Sequence, residues 1–213
     1  MRNSIVSLVL VSTVSTLFGL AGCGAPTDDT QNRMAETPID PGYPTGPYGY
    51  VEGATVADYK FLGKTPADGN YDALPMRQLL LGEFHTDPGM KLLLVEGSAN
   101  WCYFCNQEAS EIEGLSVDHA GEGFRALTVL AEGSVRGLPA EEGDLSDWVN
   151  THAFKKTSMA IDPEGRLFMY APASAFPVHI LLNTQSMKIE WLCVGGIGGC
   201  DTKGAVVDTL SRL

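Results

Sequence analysis

Two cysteines that are separated by two residues, Cys102 and Cys105, limit the fold of this chain more than any other feature. They follow an apolar run at residues 91–95, which is short and bounded by glycine and proline and therefore predicts a buried β-strand. After them, apolar residues recur at one-turn spacing, at positions 109, 112 and 115, which predicts an amphipathic helix. We therefore expect the cysteine pair where a buried strand turns into a helix.

Strands and helices alternate along the remainder of the chain. Strands are predicted at residues 124–130, 178–183 and 188–194, and helices from Asp144 to about Phe154 and at residues 202–213. Weaker strand or hairpin signals occur at residues 56–62 and 79–81, and a turn is predicted at residues 162–165. This alternation is typical of an α/β fold that is built from βαβ units.

Three roles are open to the cysteine pair: a structural disulfide, a metal clip or a reversible redox pair. A disulfide between Cys102 and Cys105 closes a loop of four residues, so it removes little entropy from the unfolded chain. Unpaired backbone N–H groups at the helix start favour a thiolate at Cys102, and Cys105 is expected to face inward one turn later. This arrangement predicts one sulfur that is exposed for attack and a second that is hidden within reach, which favours the redox role.

Residues 1–22 are predicted to be an export signal, because Arg2 supplies a positive charge and a mostly apolar run follows it. The last residues of this signal and Cys23, Leu-Ala-Gly-Cys, resemble a bacterial lipobox. The resemblance implies cleavage before Cys23 and a lipid anchor on its sulfur. The alternatives are simple secretion and a retained membrane anchor. Gly24 favours the outer membrane of a bacterial cell envelope, with the protein facing the periplasm.

Residues 23–53 are predicted to be a tether and residues 54–213 the folded domain. Prolines alternate with glycine, aspartate and threonine in the predicted tether, and no apolar periodicity is present there.

The charge of the chain limits its partners. The formal net charge is −12 at pH 7, which repels nucleic acid and anionic lipid headgroups. We therefore expect no nucleic-acid partner, and contact with a membrane only through the lipid anchor.

The segment at residues 95–105, VEGSANWCYFC, resembles the active-site segment of thioredoxins and of exported TlpA/ResA-like reductases. The shared features include Trp101 before the first cysteine and Glu96 six positions before it. A second segment, SAFPVHILL at residues 174–182, resembles the part of that family that carries a cis-proline and leads into the next strand. The resemblance covers about residues 54–213. It implies a thioredoxin-like fold, with a central mixed β-sheet that is flanked by helices.

The resemblance also implies catalytic roles for four residues. Cys102 is the expected nucleophile, which attacks a substrate disulfide, and Cys105 is the expected resolving thiol. Glu96 matches a buried acid that accepts the proton of the Cys105 thiol, and burial is expected to raise its pKa. Pro177 matches the cis-proline beside the sulfurs. The alternative for Glu96 is an acid at a strand end that faces solvent. The alternative for Pro177 is a trans proline in a turn.

Four further residues are expected to bind the substrate. The backbone of Phe176 is expected to pair with an extended substrate segment, and Trp101 to pack over the site, although a plain core tryptophan is the alternative. Tyr103 and Phe104 lie between the cysteines, where the family often has Gly-Pro or Pro-His, so the redox potential of the family does not carry over. Asn106 follows Cys105 directly, at a position where the family frequently has a cationic residue.

The second cysteine pair, Cys193 and Cys200, brackets the glycine-rich sequence VGGIGG. A bridge there closes a loop of eight residues, worth about 2.5 kcal/mol on the chain-entropy model. We predict a structural disulfide, with a second redox pair or free thiols as alternatives. The spacing of the two pairs is poor for zinc, so no metal is expected, and no cofactor is expected either.

The histidines are scattered at residues 85, 119, 152 and 179, and each is expected at the surface or with its hydrogen bonds satisfied. His179 is either near the predicted site or turned away from it by strand alternation.

These features predict an exported, lipid-anchored thiol:disulfide oxidoreductase. Its expected partners are disulfides or thiols of other exported proteins, and reduction is the expected direction. That direction needs an electron donor, for which a membrane thiol carrier is expected. The rival hypothesis is a non-enzymatic binding lipoprotein that holds a protein partner or copper. A peroxidase-like redoxin is a third class, but the threonine and arginine that such proteins need beside the cysteine are not found.

Overall fold

Seven β-strands form one mixed sheet in the computed structural model, which describes residues 42–68, 76–162, 164–167, 175–196 and 198–213. The strand order across the sheet is β2-β1-β5-β4-β3-β6-β7. The strands are β1 (Lys60–Lys64), β2 (Arg77–Leu80), β3 (Leu92–Ala99), β4 (Phe124–Glu132), β5 (Ser158–Ile161), β6 (Val178–Asn183) and β7 (Lys188–Val194). The predicted α/β class and central mixed sheet are confirmed.

The strand β3 is an interior strand of the sheet, and all eight of its residues are buried. It pairs in parallel with β4 and antiparallel with β6. It continues to Ala99, beyond the predicted end at residue 95, because its polar residues Glu96 and Ser98 are buried as well. The observed bounds of β6 and β7 match the predicted ones.

Four α-helices accompany the sheet among the described residues: α1 (Gly82–His85), α2 (Tyr103–Asp118), α3 (Glu142–His152) and α4 (Thr202–Arg212). Alternate residues of β3 separate the two faces of the sheet, as strand geometry requires. Leu92 and Leu94 pack in one apolar cluster with Ile112 of α2 and Val206 of α4. This sheet face therefore supports the helix that follows the cysteine pair.

The opposite face of the sheet is covered by the segment at residues 42–59, whose tyrosines are buried in one cluster with Leu93 and Val95. Tyr43 donates a hydrogen bond from its hydroxyl to the carbonyl oxygen of Val56 at 2.9 Å. The prediction that the tether extends to residue 53 is therefore wrong at its C-terminal end. Proline and glycine suppress periodicity in this segment, but its aromatic rings still bury apolar area against the sheet.

The predicted export signal at residues 1–22, the lipidation site Cys23 and the first part of the predicted tether lie outside the described residues. Within the described part of the chain, none of the helices has the length and apolar character needed to cross a bilayer.

Candidate active site

Cys102 and Cys105 form a disulfide at the first turn of α2, with their Cα atoms 5.3 Å apart. Cys102 is the N-cap residue of the helix, and its sulfur accepts a hydrogen bond from the backbone N–H of Cys105 at 3.2 Å. The predicted placement of the pair, where a buried strand turns into a helix, is confirmed. The helix start directs backbone N–H groups at the Cys102 sulfur, which stabilises a thiolate there.

Both cysteines are buried in this disulfide form: Cys102 is 3% exposed and Cys105 is fully buried. The prediction that the Cys102 sulfur is exposed for attack is therefore wrong for the oxidised protein. Both residues belong to an apolar cluster against which the half-buried Trp101 and Phe176 pack. The rings of Trp101 and Phe176 meet edge to face with centroids 6.1 Å apart, so the two side chains pack on each other as well as on this cluster.

The peptide bond between Phe176 and Pro177 is cis, as the resemblance implies. Pro177 is buried at the start of β6, and its carbonyl oxygen accepts a hydrogen bond from the backbone N–H of Gly195 at 2.9 Å. Phe176 packs against the cluster that contains both cysteines. The two segments that carry the resemblance therefore meet in space.

Trp101 is held by the last residue of β4 and by the loop that follows this strand, and none of these residues was predicted from the sequence. Its indole N–H donates to a carboxylate oxygen of Glu132 at 2.7 Å, and the guanidinium carbon of Arg136 lies 4.3 Å from the ring centroid. The same oxygen of Glu132 accepts the backbone N–H of Gly137 at 2.7 Å. A hydrogen bond, a cation–π contact and a fixed loop therefore orient this tryptophan.

Tyr103 and Phe104 are exposed at the first turn of α2, with 69% and 50% of their surface open to solvent. Their rings pack edge to face at 5.6 Å. Exposed aromatic side chains next to a reactive group are typical of a surface that binds another protein.

Glu96 is fully buried on β3, so the alternative of a solvent-facing acid is wrong. One of its carboxylate oxygens accepts the hydroxyl of Ser98 at 2.8 Å, and the other accepts the hydroxyl of Thr128 at 2.7 Å. Burial raises the pKa of Glu96 above its ordinary value and outweighs the two hydrogen bonds, which favour the ionised form. A buried carboxyl group with a raised pKa can accept and release a proton within the site.

Two more titratable residues, Glu108 and His179, join Glu96 in the interior. Glu108 is 5% exposed and His179 is fully buried, and the ring Nε2 atom of His179 lies 3.0 Å from a carboxylate oxygen of Glu108. One potential ligand atom from each of the three residues lies within 4.8 Å of the other two. His179 is thus directed toward the candidate site, which settles a question that strand alternation left open.

The sequence analysis missed Glu108 because a single glutamate in a helix is usually solvated. A signal was present, however, because Glu108 follows Cys105 by three residues. That spacing places both residues on the same face of the helix.

The structure is similar to solved structures of other proteins. The structure is similar to that of a protein named as a thiol:disulfide interchange protein, DsbE, from Chlorobium tepidum, with a TM-score of 0.57 and 17% identity over 76% of this chain and 99% of that one. It is also similar to an exposed lipoprotein thioredoxin from Streptococcus pneumoniae, with a TM-score of 0.54 and 20% identity over 74% of this chain and 100% of that one. The chain has a thioredoxin-like fold.

A third solved structure supports the same fold. It is a protein named as a disulfide isomerase from Bacteroides thetaiotaomicron, with a TM-score of 0.55 and 16% identity over 78% of this chain and 92% of that one. No protein-family model and no curated protein matches the sequence. At these identities the likeness establishes the thioredoxin-like fold, and the chemistry has to be argued from the residues themselves.

Cys193 and Cys200 form a second disulfide, with Cα atoms 6.0 Å apart, as predicted. It links the end of β7 to the residue before the N-cap of α4. The loop that it closes approaches Phe104, which lies between the two cysteines of the candidate site, because a Cβ atom added to Gly196 would lie 2.4 Å from Cβ of Phe104. Contact between the two disulfide segments was not predicted.

The other three histidines have hydrogen-bond partners, as expected. His85 bonds to the carbonyl oxygens of Thr184 and Gly42, His119 to the Glu122 carboxylate and His152 to the Asn106 side chain.

Proposed function

We propose that this protein is a thiol:disulfide oxidoreductase that acts on cysteine pairs of other exported proteins. The observation that carries the proposal is the Cys102–Cys105 disulfide at a helix start, packed with the cis-proline segment and with Trp101. A purely structural bridge gains nothing from such surroundings, whereas a cycling pair needs a stabilised thiolate and a nearby proton acceptor.

Reduction of a substrate begins with the dithiol form. The Cys102 thiolate attacks one sulfur of the substrate disulfide, which forms a mixed disulfide and releases the first substrate thiolate. Cys105 loses its proton and attacks the Cys102 sulfur, which breaks the mixed disulfide and releases the second substrate thiolate. The two electrons come from the two cysteines, which end as the disulfide, and the two substrate thiolates end as thiols.

Glu96 is the proposed acceptor of the Cys105 proton. It lies on the sheet face that supports α2, and it is buried where bulk water does not supply a base. Its raised pKa, which is due first to burial, brings its proton affinity closer to that of a thiol. The proton returns to Cys105 when a donor reduces the disulfide again.

Tyr103, Phe104, Trp101 and the backbone of Phe176 are the proposed contacts for the substrate. The first two offer exposed aromatic surface, and the cis-proline segment leads directly into β6. A substrate segment that lies in extended form beside Phe176 would add main-chain hydrogen bonds, with specificity supplied by the aromatic residues.

The export signal at residues 1–22 and the lipid anchor at Cys23 belong to the proposal as well. They rest on the sequence pattern, and the likeness to an exposed lipoprotein thioredoxin is consistent with them. The proposed location is the bacterial cell envelope, with the protein facing the periplasm and the outer membrane favoured by Gly24. A membrane thiol carrier is the proposed electron donor.

The reduction potential of the Cys102–Cys105 pair tests the direction of the reaction. A value near or below about −250 mV supports a reductant, and a value near −120 mV supports an oxidant. The measurement is equilibration with glutathione or dithiothreitol buffers, with the Cys193→Ser/Cys200→Ser variant used to isolate the first pair. If the pair does not exchange with any dithiol, the protein is instead a binding lipoprotein, whose candidate contact surface is Tyr103 and Phe104.

A further inference from the structure

The interior between the sheet and α2 contains a row of polar residues that crosses the sheet. Thr128 of β4 is the register partner of Glu96 on β3, and Glu96 is the register partner of His179 on β6. Register partners project from the same face of a sheet, so the three side chains point to the side that carries α2. All three are fully buried.

Glu108 reaches this row from the helix. It follows Cys105 by one turn, so it lies on the same helix face as that cysteine, and its carboxylate meets the His179 ring at 3.0 Å. The polar groups that face Glu96 from the surrounding elements are Ser98 on β3, Thr128 on β4, His179 on β6 and Glu108 on α2. On β7, the register partner of His179 is Cys193, which is held in a disulfide and does not titrate.

Hydrogen bonds in the cluster indicate which atom of His179 carries a proton. The Nδ1 atom is buried and has no hydrogen-bond partner in the described part of the chain. A bare ring nitrogen is better tolerated there than a buried N–H group without an acceptor. A proton is therefore assigned to Nε2, from which His179 donates a hydrogen bond to the Glu108 carboxylate.

Negative charges on the two glutamates would repel each other in this low-dielectric interior. A carboxylate at Glu108 disfavours a second carboxylate at Glu96, and the donor at His179 counteracts this effect by stabilising negative charge. In agreement, burial is the first cause that raises the pKa of Glu96, the His179 ring lowers it and Glu108 raises it. The proton affinity of Glu96 therefore depends on both of these neighbours.

We propose that Glu108 and His179 are positioning residues that set the proton affinity of Glu96 in opposite directions, and thereby the pH range in which the Cys105 thiol is deprotonated. The inference rests on the proposed function. In the resolving step the Cys105 proton moves to Glu96, the Cys105 sulfur bonds to the Cys102 sulfur, and the substrate thiolate leaves. Negative charge at Glu108 makes Glu96 a stronger base for this transfer, and His179 opposes that effect because its ring N–H stabilises negative charge in the cluster.

The test is a single-turnover reaction of the reduced protein with glutathione disulfide over a range of pH. The first released glutathione reports the attack by Cys102, and the second reports the resolving step by Cys105. The Cys105→Ser variant identifies the first phase, since it stops at the mixed disulfide. The variants are Glu96→Gln, Glu108→Gln and His179→Asn, and the matched control is Glu111→Gln, an exposed glutamate on the same helix.

We expect Glu108→Gln and His179→Asn to shift the pH–rate profile of the second phase in opposite directions. The shift is read on the acid limb, the low-pH part of the profile where the rate rises with pH. Glu108→Gln removes the repulsion, so the limb moves to lower pH by roughly one unit, which is a tenfold change in proton affinity. His179→Asn removes the donor, so the limb moves to higher pH. Glu96→Gln slows the second phase at every pH by more than about tenfold. The first phase and the Glu111→Gln profile stay as in the wild type.

Infrared difference spectra of the wild-type protein test the inference without any folding risk. The carbonyl band of a protonated carboxyl group should be present in the disulfide form and change in the dithiol form, because the proton passes between Glu96 and Cys105. Absence of any such change overturns the inference, even if a variant fails to fold.

Further outcomes of these experiments would also overturn the inference. Unshifted profiles for Glu108→Gln and His179→Asn, or shifts in the same direction, overturn the inference alone if the wild type reacts with glutathione disulfide. A pair that does not react at all overturns the proposed function together with it. Stoichiometric Zn²⁺ binding by the wild type that is lost in Glu108→Gln would mean that the cluster is a metal site, which also overturns the inference.

Discussion

The two disulfides of this protein differ in the spacing of their cysteines, in burial and in the polar groups around them. Cys102 and Cys105 are three residues apart, buried at a helix start, and a carboxylate cluster lies on the sheet face beneath that helix. Cys193 and Cys200 are seven residues apart and half-buried at the end of a loop that contains Gly195 and Gly198, both with positive φ. The first has a helix start and a proton acceptor, while the second closes a surface loop.

The comparison teaches that the surroundings, rather than the bond, separate a reactive pair from a structural one. A thiolate needs stabilising N–H groups, and a buried resolving thiol needs a base that water does not provide. The Cys193–Cys200 bridge joins β7 to the chain that enters α4, so its expected contribution is to stability. The two regions are in contact nonetheless, through Phe104 and Gly196.

The largest expected difference is in turnover. Cys102→Ser should lower the rate of reduction of a protein disulfide by more than about a thousandfold, because the nucleophile has no substitute. The double variant Cys193→Ser/Cys200→Ser should keep turnover within about threefold and lose roughly 2.5 kcal/mol of unfolding free energy. Rate assays and urea unfolding measure both effects. A comparable loss of turnover in the double variant would place the second pair in the catalytic cycle.

The contact between the two regions is tested by Gly196→Ala. The added Cβ atom would lie 2.4 Å from Cβ and 2.8 Å from Cγ of Phe104, so one of the segments must move. We expect a loss of about 1–3 kcal/mol of unfolding free energy, as for overpacking elsewhere. Gly114→Ala is the matched control, because nothing lies within 4 Å of its added Cβ atom.

That control carries its own expectation, since Gly114 lies inside α2. Alanine there should stabilise the protein by roughly 0.5–1 kcal/mol. A neutral or stabilising Gly196→Ala would show that the loop and Phe104 adjust freely.

Substrate contacts are expected to have an intermediate effect. Tyr103→Ala and Phe104→Ala each remove exposed aromatic surface beside the reactive pair. Turnover with a protein disulfide should fall about tenfold, or about 1.4 kcal/mol, while the rate with glutathione disulfide stays near the wild-type value. Val207→Ala on α4 removes a comparably exposed apolar residue as a control. Equal losses with both substrates would indicate damage to the pair rather than to binding.

The smallest expected effect is a pH dependence of the unfolding free energy, which arises from Glu96 in the buried cluster against α2. The folded pKa of Glu96 is raised above its ordinary value of 4.5, so folding favours the protonated form. The stability that this provides is complete below pH 4.5 and is lost as pH rises through the folded pKa. The wild type should therefore lose stability relative to Glu96→Gln with rising pH, by at most about 1.4 kcal/mol for each pH unit.

Unfolding in urea at several pH values measures this difference. Glu111→Gln serves as the control, because its carboxylate is exposed to water in both states. A constant difference between the wild type and Glu96→Gln above pH 4.5 would mean that Glu96 stays ionised in the folded protein.

Several features followed from local sequence alone. The apolar run at residues 91–95 predicted the central strand, and the bounds of β6 and β7 were predicted as observed, because short apolar runs between turn residues form buried strands. The cysteine pair was placed at the start of α2 by the change of periodicity beside it. Both disulfide pairings were anticipated from spacing.

Other features needed the folded chain. The tyrosines at positions 43, 48 and 50 lie in a proline-rich segment without periodicity, yet they cover one face of the sheet. Cys102 was expected to be exposed, but it is buried in an apolar cluster that residues from several elements form. Glu108 and His179 are 71 residues apart and meet through helix packing and strand register.

Local pattern thus determined the elements of this protein and the position of its reactive pair, because periodicity and helix starts depend on neighbouring residues. Tertiary structure alone decided which polar groups share one buried space. That space is bounded by β3, β4, β6 and α2, and no short stretch of the chain contains them all. The proton chemistry proposed for the pair depends on this convergence.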